Sequence, residues 1–231
     1  MTGEQVCLIG SGRTDAGVHA LAQVANFHTD SKIPLEGFLK GLNSLLPEDI
    51  AILATSEVSP DFHSIRNSIC KIYCYHILVS DTKSPFWNKR AWLLNRSLDI
   101  HSMEMALPPL IGTHDFSAFK ASGSNAKTGI RTVYFCEIKP IILGIFPSSG
   151  ESHYMFTIAA CGFLRYMVRN IVGLLVQIGL GKRPYKDMAS VIVSKDRSSA
   201  GPTAPPQGLY LKQVYYDKTE IPFIINDHRK E

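Results

Sequence analysis

A chain of 231 residues with 45% apolar and 19% charged side chains can bury one large core or two small ones, and is too apolar to be a disordered segment. No apolar run reaches the ~20 residues of a membrane span. The net charge of +4 is uneven: residues 1–60 carry three Lys/Arg against seven Asp/Glu, whereas residues 61–231 carry 21 against 13, so the later part suits a polyanion.

The first apolar run, residues 6–9, reads as a buried strand. It leads into Gly10-Ser11-Gly12-Arg13-Thr14-Asp15-Ala16-Gly17-Val18-His19-Ala20. Residues 22–28 alternate weakly and read as a second strand. Pro34 opens a helix whose stripe of Leu35, Phe38, Leu39, Leu42, Leu45 and Leu46 reads as core, and Pro47 stops it. Residues 51–58 read as a further strand. Strand, strand, helix, strand is half of an α+β layer, with helices on one face of a mostly antiparallel sheet. Pro60 marks the expected boundary between an N-terminal half, 1–60, and a C-terminal half, 61–231.

Residues 68–79 are apolar on both faces, with Tyr73, Tyr75, Ile77 and Val79 on one side, which predicts a central strand. The stretch 80–97 reads as a loop in which Trp87 and Trp92 interleave with Lys89 and Arg90, a composition suited to RNA. Asp99 is a good cap for a helix that Pro108-Pro109 must keep short. Residues 112–119 run into a Ser/Gly/Lys-rich loop at 120–129. Strands at 132–139 and 153–160 flank an irregular connection at 140–151. The longest helix is expected over 162–178, with Phe163, Met167, Ile171, Leu174 and Ile178 buried and Arg165 and Arg169 opposite. A last helix begins at Pro184, and an open loop at 198–206 precedes a final strand at 208–216.

Two features bear on chemistry. In extended backbone Arg13 and Asp15 point to the same side, an arginine beside an aspartate favours the carboxylate, and a fixed carboxylate serves as nucleophile or base. The dinucleotide fingerprint G-x-G-x-x-G is rejected, because Asp15 would occupy its third glycine and face a pyrophosphate. The five cysteines, Cys7, Cys70, Cys74, Cys136 and Cys161, are odd in number and scattered, which argues against a disulfide framework and for a reducing compartment. Cys70 and Cys74 fall on one face of a strand, a spacing for packing rather than for zinc.

The stretch 12–20 resembles the signature of the tRNA pseudouridine synthase A family, which carries its catalytic aspartate at the position of Asp15. Four further stretches resemble that family in order. Phe62-His63-Ser64 with Tyr73 and Tyr75 is similar to the segment that supplies an active-site tyrosine, at Tyr73. Residues 112–119 resemble its G-x-H-D-F block. Met167-Val168-Arg169-Asn170-Ile171-Val172-Gly173 is similar to the stretch that provides the aspartate's basic partner, at Arg169. Gly208-Leu209-Tyr210-Leu211 resembles the motif whose leucine packs under the target base, at Leu209. Departures stand at Ile65 and Lys71, where the family has arginines, and at Pro108-Pro109.

The resemblance implies two ferredoxin-like halves whose sheets join across a basic cleft, and a cytoplasmic homodimer that isomerises uridine to pseudouridine at positions 38 to 40 of the tRNA anticodon arm. It assigns Asp15 as nucleophile, Arg169 as its ion-pair partner and Tyr73 as a base-stacking residue that takes part in proton transfer. Arg13 would hold phosphate or fill the vacated stack, and Leu209 would wall the pocket. No redox step or external nucleophile is needed, so no cofactor and no metal are expected. The family also carries about 45 residues ahead of the glycine loop. This chain therefore reads as having a shortened first half, with a tRNA-binding protein impaired in catalysis as the alternative.

Overall fold

In the computed structural model, which describes residues 1–123, 126–141 and 151–223, the class is α+β with mostly antiparallel strands, as the sequence implies. Of the expected loops, positions 124–125 and 142–150 lie outside the described residues. Contacts group the chain into two compact units, Met1–Gly12 with Val24–Asn67 and Arg13–Gln23 with Ser68–Glu231. The glycine loop is thereby divided: Gly12 ends a segment of the first unit, and Asp15 belongs to the second.

The first unit is thin. Strand β1 (Ile9–Gly10) pairs antiparallel with β3 (Ala25–Asn26), two residues each. The apolar run 6–9 is not a buried strand, because Val6 and Leu8 are exposed; a two-stranded ribbon has no second layer to cover alternate residues. Ser64 closes this ribbon, its Oγ donating to the Ile9 carbonyl at 2.6 Å and its N–H to Asn26 Oδ1 at 2.9 Å. Helix α1 (Leu35–Leu45) forms where expected, but of its leucine-rich stripe only Phe38 is buried, and Leu35 and Leu45 are exposed. Residues 51–58 do not form a strand. They are tied to α1 by side chains instead: Asn43 bonds both backbone groups of Ile52, at 2.7 and 2.9 Å, and Thr55 donates to the Leu35 carbonyl at 2.9 Å. Ladder bonds there are replaced by local amide and hydroxyl partners.

The second unit holds the main core. Its central strand β4 (Cys70–Val79) lies between β8 (Ser152–Ala160) on one edge and, on the other, β9 (Leu209–Tyr215) and β5 (Trp92–Leu94). Beyond β8 come β7 (Ile130–Pro140) and β6 (Gly112–Asp115), and β2 (His19–Ala20) adds parallel to β9. The loop expected at 80–97 thus contributes a strand, and the block at 112–119 begins as one. Trp92 packs edge-on to Tyr75, and Trp87 against His76 and His153, so both indoles of that loop are engaged with the sheet.

Helix α2 (Ile100–Met105) starts at the expected cap, where Asp99 accepts the Ser102 N–H at 3.0 Å, and it is short, ending before Pro108-Pro109. Helix α3 (Met167–Gly179) begins five residues later than its apolar pattern suggests, and eleven of its thirteen residues are buried. A helix buried nearly all round is central to a core rather than amphipathic. One cluster joins it to Tyr75, Phe156 and Ile158 of the sheet, Met103 of α2, and Met188 and Val191 of α4 (Asp187–Ser194). Pro184 precedes α4 by a turn rather than opening it. The 198–206 loop is not an open segment: 3-10 turns at Arg197–Ala200 and Pro206–Gly208 flank a stretch bonded to α3 through Ala204. All five cysteines are free thiols, as expected, with Cys70 and Cys74 buried. Among the described residues no helix is long and apolar enough to cross a membrane.

On the sheet's other face His76 Nδ1 lies 3.0 Å from His153 Nε2, beneath Trp87 and beside Tyr210. Burial pushes both histidines down to about 4. For His76 the charges of His153, Lys212 and His19 add to this, and for His153 the charge of Glu151 partly opposes it.

Two predictions follow from this packing. Between pH 6.5 and about 4 the unfolded chain binds protons that the native pair refuses. Stability is therefore full above pH 6.5 and falls as pH drops through that window. Denaturant titrations at pH 7.5, 6 and 5 should show the fall, and His153→Gln should flatten it; an unchanged slope would contradict the assignment. In the second case, a Cβ on Gly173 of α3 would sit 1.8 Å from the Pro202 carbonyl oxygen. Gly173→Ala must push helix and loop apart and should cost about 3 kcal/mol in the same assay.

Candidate active site

Asp15 begins a tight turn, with the Val18 N–H bonded to the Asp15 carbonyl at 2.9 Å and Gly17 at φ +82°. A left-handed third position is what a type II turn requires, hence glycine. A Cβ at Gly17 would also crowd Pro206 at 3.2 Å. The residues that end and follow the turn fasten it within the second unit. Val18 packs against the main core, and His19 and Ala20 pair with Tyr210 and Leu211. The His19 ring stacks on Tyr210 with centroids 4.6 Å apart, and His19 Nε2 lies 2.8 Å from the Lys89 carbonyl.

The aspartate's partners are not those its own loop suggests. Arg13 does not meet Asp15; it is exposed and makes no ion pair or hydrogen bond among the described residues. Instead Arg169 Nη1 lies 3.5 Å from Asp15 Oδ2, and Arg165 Nε lies 3.7 Å from Oδ1. The three side chains differ in access: Arg169 is 12% exposed, Asp15 32% and Arg165 49%. Arg13 and Asp15 are close in sequence, but the turn carries the carboxylate toward the start of α3.

Arg169 sits in the first turn of α3 and is held by two bonds to Ala204 besides its ion pair. Its Nε donates to the Ala204 carbonyl at 2.8 Å, and the Ala204 N–H returns a bond to the Arg169 carbonyl at 3.0 Å. Asn170, fully buried beside it, donates to the Phe119 carbonyl at 2.8 Å. Its Oδ1 accepts from Thr203 at 2.6 Å and from Arg197 at 3.0 Å. Arg197 also bonds the Gly201 carbonyl at 2.8 Å. A buried polar network with every member paired fixes one arrangement of the loop.

Tyr73 lies on β4, edge-on to Phe163 at 5.0 Å. Burial, and secondarily the charge of Asp15, pushes its phenol up to about 12, so it is a neutral hydroxyl near pH 7. The register of β4 against β9 shifts between Ile72 and Tyr73, with Lys212 of β9 as the extra residue. Leu209 opens β9, buried in the main core and opposite Tyr75. Asp15, Arg169 and Tyr73 are therefore brought together, Leu209 is packed in the main core opposite Tyr75, and Arg13 stands apart from Asp15's ion pairs.

Three neighbours were not singled out as site residues from sequence. Arg165 stands four before Arg169, a spacing that puts two side chains on one helical face and signals a pair. Tyr166, between them, has both guanidinium carbons over its ring at 4.9 and 4.7 Å. Asn170 stands in the 167–173 stretch that resembles the family, but nothing in its spacing gives it a role. Among the described residues no group of three or more His, Cys, Asp or Glu side chains is placed to hold a metal ion.

The chain matches the tRNA pseudouridine synthase family over residues 1–65 and 106–217. It is 46% identical over 216 residues to tRNA pseudouridine synthase A of Thermoanaerobacter sp. (strain X514), covering 94% of this chain and 85% of that protein. It is 47% identical over 218 residues to tRNA pseudouridine synthase A 2 of Clostridium tetani, covering 94% and 84%. With the Geobacter sp. (strain M21) enzyme of the same name, identity is 42% over 218 residues, covering 94% and 84%. A match over most of the chain, with an aspartate held by arginine in a core of mixed sheet and helix, makes this chain a member of the tRNA pseudouridine synthase family of isomerases.

Proposed function

We propose that the chain converts uridine to pseudouridine at positions 38 to 40 of the tRNA anticodon stem-loop, as a cytoplasmic homodimer, with Asp15 as the nucleophile. The observation that carries this reading is the Asp15 carboxylate held between Arg165 and Arg169 at the head of α3, in a chain of this family.

The reaction breaks the bond from C1′ of the ribose to N1 of uracil, turns the base, and forms a bond from C1′ to C5. The C5 proton leaves and N1 gains one, so atoms balance without oxidation. A target base inside a stem must first leave its stack. Asp15 then supplies the electron pair, to the sugar carbon or to the base. Arg169, largely covered and tethered to Ala204, holds the carboxylate in place throughout. Tyr73 offers its ring to the flipped base and its neutral hydroxyl for proton transfer. Arg13, exposed on the same loop as Asp15, suits a backbone phosphate or the space the base vacates. Leu209 walls the pocket floor.

Two tests follow. Asp15→Ala should lower turnover on unmodified tRNA transcript by at least about 10³-fold while tRNA affinity stays within about threefold. Pseudouridine is mapped by chemical labelling and primer extension, and binding is read across a salt series, where it should weaken as salt rises. Retained turnover in Asp15→Ala would remove the nucleophile assignment, and a wild-type chain that leaves the anticodon arm unmodified would remove the substrate assignment. Because Tyr73 is pushed up to about 12, the rate should show no Tyr73-dependent loss near pH 10, where an ordinary tyrosine ionises. A decline there that Tyr73→Phe abolishes would contradict this environment.

A further inference from the structure

We propose that Tyr166 is a positioning residue for the Asp15 site: its ring gathers Arg165 and Arg169 so that each guanidinium reaches a different oxygen of the Asp15 carboxylate. The inference rests on the reading of Asp15 as the reacting group.

Tyr166 sits immediately before α3 with φ +65° and ψ 1°, a left-handed conformation. Such a conformation is uncommon for a non-glycine residue and a genuine outlier for a bulky one. Its side chain makes no capping bond to the helix, so helix capping does not account for it. What the conformation achieves is local. Had the helix run on through residues 162–178, Arg165 and Arg169 would stack one turn apart, and residue 166 would project about 100° around the axis from residue 165. With the left-handed step, both guanidinium carbons lie over the Tyr166 ring, at 4.9 and 4.7 Å. The Tyr166 hydroxyl also accepts from Arg165 Nη2 at 3.4 Å.

The two arginines depend on that ring unequally. Arg169 has a second side-chain anchor in the Ala204 carbonyl. Arg165 is half-exposed, and among the described residues its guanidinium has only Tyr166 and Asp15 for partners. Two guanidiniums beside one carboxylate repel each other, and the negative face of an aromatic ring offsets that repulsion at both. Take the ring away and Arg165 is free to turn to solvent, leaving Asp15 Oδ1 without its ion-pair partner. The carboxylate then has one fixed oxygen instead of two and can rotate, which loosens the geometry of attack.

The test separates ring, backbone and function. Tyr166→Phe keeps the aromatic face, whereas Tyr166→Asn keeps a residue that tolerates the left-handed backbone but removes the ring. Tyr166→Phe should retain at least about half of wild-type turnover, and Tyr166→Asn should lose about tenfold in kcat with KM within about twofold. An activity-independent readout accompanies it: arginine side-chain N–H resonances in ¹⁵N-labelled protein. The Arg165 Nε–H signal should be retained in Tyr166→Phe and lost to solvent exchange in Tyr166→Asn, with the Arg169 signal kept in both. Equal impairment of both variants, or an Arg165 signal unchanged in Tyr166→Asn, would overturn the role. If the signals behave as stated but wild-type protein makes no pseudouridine, the proposed function fails while the placement of the two arginines stands.

Discussion

Arg169 is the point at which backbone packing becomes chemistry. The bonds between Arg169 and Ala204 run in both directions, side chain to backbone and backbone to backbone, so the guanidinium cannot move without moving the 201–204 loop. That loop in turn can only reach α3 because position 173 has no Cβ to meet the Pro202 carbonyl. Asn170 and Arg197 complete the attachment from inside the core. An ion pair across open solvent contributes little and orients poorly. One member of this pair is fixed by a close helix–loop approach, and the other by a turn that Gly17 alone allows. Both members of the pair are thus held by the fold itself.

What was legible in the sequence follows burial. β4, β7, β8, β9 and α3 belong to the main core, and their apolar runs announce them within a few residues of their bounds. In the first unit the same reasoning over-reads. Residues 6–9 and 51–58 are apolar enough to suggest strands, yet Val6, Leu8, Leu53 and Val58 are exposed, and the ladders are two residues long or missing. Apolar pattern reports a tendency to be covered, and a strand needs a paired edge as well.

The site divides along the same line. Asp15, Arg169 and Tyr73 are singled out by the resemblance to the family's motifs, and the fold places the three near one another. The partner of Asp15 read from spacing alone, Arg13, was wrong because neighbours in an extended stretch are neighbours only while the stretch is extended. The turn at Asp15–Val18 redirects the carboxylate, and the cations come from residues some 150 positions later. Arg165 was visible as the fourth residue before Arg169, but its use was hidden by the left-handed step at Tyr166, which no periodicity encodes.

Tyr73 and Tyr75 show how one strand face serves two ends. Both lie on the same side of β4, two residues apart, and both phenols are pushed up by burial. Tyr75 is sealed in: its hydroxyl donates to the Pro205 carbonyl at 2.7 Å, and Gly208 lies so close to its ring that a Cβ would collide at 2.6 Å. It anchors the segment from which Ala204 and Leu209 extend. Tyr73 is less enclosed, feels the Asp15 charge, and stands where the pairing with β9 slips by a residue. The extra residue of that slip is Lys212 of β9, so β4 keeps both tyrosines on one face. One strand face thus holds a tyrosine sealed in the core and, two residues away, one that feels the Asp15 charge.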